Sequence, residues 1–169
     1  MFPSELTSRA ERLLVAMRAR SLKLATAESC TGGLIAGLVT AIPGVSDVFE
    51  RGFVTYSNAA KVGVLNVDFE VLLRHGAVSA EVANAMADGA RRASAADVAL
   101  SVTGIAGPDG GTAAKPVGLV YIGLAMPGTP TQAKEFRFGD VGRAGVRLQT
   151  IREALAMLEA GLADENLIA

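Results

Sequence analysis

Apolar residues recur at helical spacing at the start of the chain. Leu6, Ala10, Leu13, Leu14 and Met17 form one stripe, with Arg and Glu between them. This predicts an amphipathic first helix with Ser4 as its N-cap. Leu22 to Ala27 alternates apolar and polar, as a short strand does, and Glu28 to Gly33 is a polar break ending in glycine. Leu34, Ile35, Leu38, Val39 and Ile42 make the next helical face, stopped by Pro43 and Gly44. A second strand is expected over Phe53 to Tyr56, then a short helical stretch near Ala59 to Leu65. Arg74-His75-Gly76 reads as a helix end with glycine at the cap. Ser79 with Glu81 opens a further helix whose buried stripe is Val82, Met86, Ala90 and Ala93. Val98 to Val102 is an unbroken apolar run and reads as a buried central strand. A long loop from Thr103 to Pro116 precedes a strand at Val117 to Met126 and a turn at Pro127 to Pro130. Charges alternate with Phe136 and Phe138 over Lys134 to Phe138, the mark of an edge strand. Leu148, Ile151, Leu155, Leu158 and Leu162 line a final helix.

Helices separate the first three strands, so these are expected to be parallel, whereas the tight turn makes the last two antiparallel neighbours. The fold class is therefore α/β, a three-layer α/β/α sandwich around a mixed, mostly parallel sheet of about five strands. With 169 residues, the whole of residues 1–169 reads as one domain.

Composition narrows the chemistry. Hydrophobic residues make up 50% and the net charge is -1, which excludes a disordered chain and a protein that binds nucleic acid through bulk positive charge. The first twenty or so residues are charged and amphipathic, unlike a secretory leader, and no run of about 18 apolar residues occurs. A cytoplasmic protein without membrane partners is expected. One cysteine and one histidine, Cys30 and His75, leave no internal disulfide and no ordinary His/Cys zinc site. No metal or other cofactor is expected.

Three segments are candidates for chemistry. Thr26 to Gly33 sits at a strand end and a helix start, where open α/β sheets gather ligands and where unpaired N–H groups can hold an oxyanion. Ser29, Cys30 and Thr31 are three nucleophiles in a row there, although Ser29 or Thr31 could equally serve only as a helix cap. Thr55-Tyr56-Ser57-Asn58 is followed by Lys61, one of only four lysines. A desolvated lysine can act as a base, with Tyr56 relaying a proton or orienting the amine, while the plainer alternative is a solvated surface lysine. The third is the loop that follows the central strand, with four glycines and two prolines between Thr103 and Pro116. It can present backbone N–H groups to a phosphate, but it matches neither a P-loop nor a dinucleotide fingerprint. His75, placed before Gly76, fits the C-terminus of a helix better than a catalytic triad.

AESCTGG at 27–33, FERGFVTYSNAAK at 49–61, HGAVS at 75–79, SVTGIAGPDGGT at 101–112 and KPVG at 115–118 together resemble the CinA C-terminal domain family. The resemblance runs from about residue 5 to residue 160. Stand-alone domains of this kind are nicotinamide-nucleotide amidohydrolases. Larger members add a domain associated with nucleotide pyrophosphatase chemistry, which is not carried over to this chain.

The resemblance implies hydrolysis of the carboxamide of nicotinamide mononucleotide (NMN), a pyridine-nucleotide salvage reaction giving nicotinic acid mononucleotide and ammonia. It places the nucleophile on Ser29, its partner on Lys61 and the tyrosine on Tyr56. Thr31, Gly32, Gly33, Thr103, Gly104, Ala106, Gly107 and Asp109 fall in segments that contact the substrate. The family's Gly-Asp-Arg and Val-Arg pattern is two residues longer here, over Gly139 to Arg147, so both Arg143 and Arg147 are candidates for the phosphate. Backbone N–H groups at the start of a Cys30–Ile42 helix are the expected oxyanion hole. The alternative is a nucleotide-binding or regulatory module of the competence/damage-inducible type that does no chemistry. The Phe136 edge strand and the apolar surplus further suggest a homo-oligomer.

Overall fold

The computed structural model describes residues 2–163. Five strands form one sheet in the order β2-β1-β3-β4-β5. They span Leu24–Glu28 (β1), Phe49–Val54 (β2), Val98–Gly104 (β3), Leu119–Ala125 (β4) and Gln132–Arg137 (β5). β1 pairs in parallel with β2 and β3, whereas β4 is antiparallel to both β3 and β5. The α/β reading therefore holds. "Mostly parallel" describes the strand directions, because the pairings themselves divide evenly. Both parallel pairings lie in the β2-β1-β3 half.

Helices cover both faces. On one face, α1 (Ser4–Ala19), α2 (Leu34–Thr40) and α6 (Gly142–Ala163) bury Leu6, Met17, Ile35, Leu38, Val146 and Leu155 against Leu24, Val98 and Leu100. On the other, α3 (Asn58–Leu65), α4 (Phe69–His75) and α5 (Ala80–Arg92) contribute Leu65, Leu72, Val82 and Met86 to a core with Ala25, Ala27 and Ala99. This second face is built of small side chains, which lets α5 lie close to the sheet. A Cβ at Gly123 would stand 2.6 Å from the carbonyl oxygen of Ala83. That same carbonyl accepts a 2.6 Å hydrogen bond from Ser101 Oγ.

Several boundaries differ from the sequence expectation. Pro3, not Ser4, is the N-cap of α1, and its side chain makes no capping bond. Proline supplies a fixed backbone angle rather than a hydroxyl there. The second strand begins at Phe49, and Thr55 and Tyr56 lie beyond its end. Its first four residues, Phe-Glu-Arg-Gly, suit an edge strand with little burial. Ser79 does cap α5, accepting from the Val82 N–H, but Ala93 is the half-buried C-cap rather than part of the buried stripe. His75 closes α4 before Gly76, whose φ of 76° ends the helix.

The two-residue period of a strand settles what the end of β1 offers. Leu24 faces the α1, α2 and α6 side, and Glu28 shares its parity. Ala25 and Ala27 face the α3, α4 and α5 side, and Ser29 follows in that phase. Adjacent residues at one strand end are thus delivered to opposite layers. Thr103, in phase with Ala99 and Ser101, is likewise turned toward the α4–α5 link.

Candidate active site

Past the last residue of β1, the Ser29 N–H donates to the carbonyl of Val102, which extends the β1–β3 ladder by one bond and holds the serine rigidly. Lys61 reaches it from α3. The buried positions of that short helix are Lys61 and Leu65, one turn apart, so the lysine occupies a core position. It is 1% exposed and ranks among the largest fully buried side chains. Its Nζ lies 3.0 Å from Ser29 Oγ and 2.9 Å from the Thr55 carbonyl, with the Tyr56 carbonyl at 3.5 Å. Every one of these partners is neutral. Burial consequently lowers the Lys61 pKa from its usual value near 10.5, with Cys30 pulling weakly the other way. A lysine in this setting can hold a lone pair toward the serine hydroxyl.

Cys30 is a poor competitor. It is 5% exposed, and burial pushes its thiol up to about 12, so the thiolate is scarce near neutrality.

The start of α2 does different work from the one expected. The helix begins at Leu34, after a turn in which Gly32 and Gly33 take φ of 61° and 94°. Its first N–H groups are already occupied. Glu28 Oε2 accepts from Gly33 N at 3.1 Å and Ile35 N at 3.0 Å, and Oε1 accepts from Ala36 N at 2.8 Å. A buried carboxylate thus neutralises the positive end of α2, and that end is not an oxyanion hole. The N–H groups of Cys30 and Thr31 donate to no oxygen acceptor among the described residues. Of the two, Cys30 lines the same pocket as Ser29. The carboxylate cap went unread in the sequence because Glu28 precedes the helix by six residues, outside the usual capping spacing.

Ser29 and Lys61 open onto a pocket of about 270 Å³, also lined by Cys30, Tyr56, Asn58, Ala77, Val78, Thr103 to Gly107, Asp109, Gly110 and Arg143. Most of the expected residues therefore meet here. Tyr56 lines the pocket, with its hydroxyl bonded elsewhere than to the lysine. Its side chain is exposed, and its hydroxyl accepts from Arg143 Nη2 at 3.0 Å, so only its main-chain carbonyl faces the lysine. Arg143 also donates to the Gly107 carbonyl at 2.9 Å, joining the glycine-rich loop to the Tyr56 wall. At the end of β3, Gly104 lets the loop turn against β4, since a Cβ there would stand 2.7 Å from Val120.

Four expected residues do not line the pocket. Thr31 is fully buried, Gly32 and Gly33 form the turn into α2, and Arg147 lies behind that turn. Arg147 Nη2 donates to the Thr31 carbonyl at 2.8 Å, bracing the nucleophile segment from the α6 side. Arg143 and Arg147 are one helical turn apart on α6, and only the earlier one reaches the pocket. Asn58, Ala77 and Val78 line the pocket without having been given a role. Their signal was present, since they lie in the TYSN and HGAVS segments.

Comparison with known proteins agrees with this architecture. The family model described as the CinA C-terminal domain matches residues 6–162. A CinA-like protein from Geobacter sp. (strain M21) is 54% identical over 153 residues, covering 90% of this chain and 36% of that protein. A CinA-like protein from Anaeromyxobacter dehalogenans is 52% identical over 86% of this chain and 35% of its own length. The chain spans about a third of the length of the curated relatives it matches. Among solved structures, the competence/damage inducible protein CihA from Agrobacterium tumefaciens superposes with a TM-score of 0.92 at 49% identity, covering 95% of this chain and 97% of that one. A CinA superfamily protein from Escherichia coli gives 0.87 at 33% identity, over 94% and 92% of the two chains.

Proposed function

Because the chain belongs to the CinA C-terminal domain family, we propose that it hydrolyses the carboxamide of nicotinamide mononucleotide, with Ser29 as nucleophile and Lys61 as base. The observation that carries this reading is the buried Lys61 amine 3.0 Å from Ser29 Oγ, held only by neutral oxygens. A purely structural lysine would have no reason to be desolvated beside a hydroxyl at the floor of an open pocket. The choice of a pyridine nucleotide rests on the family resemblance, and the pocket is compatible with it.

Ser29 Oγ attacks the amide carbon while its proton passes to Lys61 Nζ. The N–H of Cys30, next to the nucleophile in the chain and without an oxygen acceptor among the described residues, is assigned to the oxyanion. Lys61 then returns the proton to the departing nitrogen, which leaves as ammonia, and an ester to Ser29 remains. Water gives a proton to Lys61, attacks the ester, and restores the serine hydroxyl as the acid is released. Arg143, tied to Tyr56 Oη and the Gly107 carbonyl, supplies the pocket's guanidinium for a phosphate.

The test is ammonia release from NMN by the purified protein, compared with its Ser29→Ala variant. Turnover abolished in the variant supports the reading. Thermal stabilisation by NMN without turnover in the unaltered protein overturns it in favour of a nucleotide-binding module.

Among the described residues, no helix is long and apolar enough to cross a membrane.

A further inference from the structure

One wall of the pocket is the link between α4 and α5, from which Ala77 and Val78 line the cavity. Such a link would ordinarily leave its carbonyls to solvent. Here each one accepts a hydrogen bond from a side chain. Lys115 Nζ donates to the carbonyls of His75 and Val78, both at 2.7 Å. Thr103 Oγ1 donates to Ala77 at 2.7 Å, and Ser79 Oγ donates to Gly76 at 2.9 Å. Lys115 is part of no ion pair among the described residues, so its ammonium charge is directed wholly at main-chain oxygens. The fit is close. A Cβ on Gly76 would stand 3.0 Å from Lys115 Nζ, and Gly76 also has a φ of 76°.

Lys115 comes from the far end of the glycine-rich loop, whose near end, Gly104 to Gly107 with Asp109 and Gly110, forms the adjoining wall. The loop closes on itself around the lysine. Thr112 N donates to the Lys115 carbonyl at 2.8 Å, and Lys115 N donates to Thr112 Oγ1 at 3.0 Å. Arg143 ties the same loop to the wall carrying Tyr56.

We propose that Lys115 is a positioning residue that locks the 75–78 wall to the glycine-rich loop and so sets the width of the pocket for its substrate. It touches neither Ser29 nor Lys61. Its effect therefore falls on substrate binding, while the proton-transfer pair is left in place. The kinetic part of this inference rests on the NMN reading; the structural part does not.

Two measurements on Lys115→Met and Lys115→Arg test it, alongside the unaltered protein. Hydrogen exchange needs no substrate. Faster exchange of the amides of residues 76–79 in Lys115→Met, restored toward the original rate by the Arg variant, whose guanidinium N–H groups can serve two carbonyls at once, supports the lock. Unchanged exchange there overturns it. With NMN, Lys115→Met is expected to raise KM by about tenfold while kcat changes by less than about threefold, and the pH at which activity half-develops stays where it was. A proportional loss of kcat with KM unchanged would overturn the assignment of width. If the unaltered protein releases no ammonia from NMN, the function reading fails, and the exchange comparison still decides whether Lys115 is the lock.

Discussion

Two buried ionisable side chains stand on either side of the end of β1, and their surroundings are opposite. Glu28 and Lys61 are each 1% exposed. Glu28 meets three backbone N–H groups at the positive end of α2. Its charge is compensated in every direction, so it is an anchor. Lys61 meets a hydroxyl and two carbonyls and no carboxylate. Its charge is poorly compensated, so its proton is easily lost. Burial alone therefore does not make a group reactive; what decides is whether the neighbours stabilise the charged form or the neutral one.

Substitutions can break this contrast. The largest effect is expected at the point where Lys61 acts. Ser29→Ala should lower the NMN amidase rate by about 10⁴-fold or more, read as ammonia release, because the covalent route is lost. Lys61→Met should lower it by about 10²- to 10⁴-fold. The same variant should become more stable toward urea at neutral pH. The sign follows from proton binding. With the folded pKa of Lys61 below its unfolded value near 10.5, the native state binds fewer protons between those two values. Stability of the unaltered protein therefore rises with pH through that window, and the cost of burying the lysine is fully present below it. Lys61→Met should lose that slope. A variant with lower stability at pH 7 would mean that the ammonium is well compensated after all.

Glu28→Gln should do the reverse. Removing the charge while keeping the shape should cost about 1–3 kcal/mol in urea unfolding, with folded protein retaining most of its turnover. If its activity fell as far as that of Lys61→Met, the division into anchor and base would collapse. The pH profile gives a smaller, finer test. Activity should rise with pH as Lys61 deprotonates, reaching half its plateau below 10.5. Smallest of all, Tyr56→Phe should leave the plateau rate within about threefold, because its hydroxyl meets Arg143 and not the lysine. A collapse of activity in that variant would restore the phenol to the proton path.

Much of the fold was legible from the chain. The stripes of α1, α5 and α6 and the apolar run of β3 declared themselves, because their faces are buried along their whole length. β2 was located late by four residues because an edge strand carrying Glu50, Arg51 and Gly52 loses the alternation that marks a half-buried one. Ser29, Lys61 and the loop after Thr103 were singled out by residue type and position. Where the side chains of Tyr56, Thr31 and Arg147 would lie was not legible in the chain, for one reason. Residue type names a capability, while the direction of a side chain depends on segments distant along the chain.

The sequence by itself determined the elements, the α/β class and the roster of groups able to do chemistry. Helical and strand periods, caps and turns depend on residues a few positions apart, so they are written locally. Only the tertiary structure decided which of those groups meet. The parity of β1 turned Glu28 to α2 and Ser29 to Lys61, and one turn of α6 separated Arg143 in the pocket from Arg147 behind it. The desolvation that lowers the Lys61 pKa comes from packing between segments 32 residues apart and more. Burial is a property of the assembled layers, and no local pattern contains it.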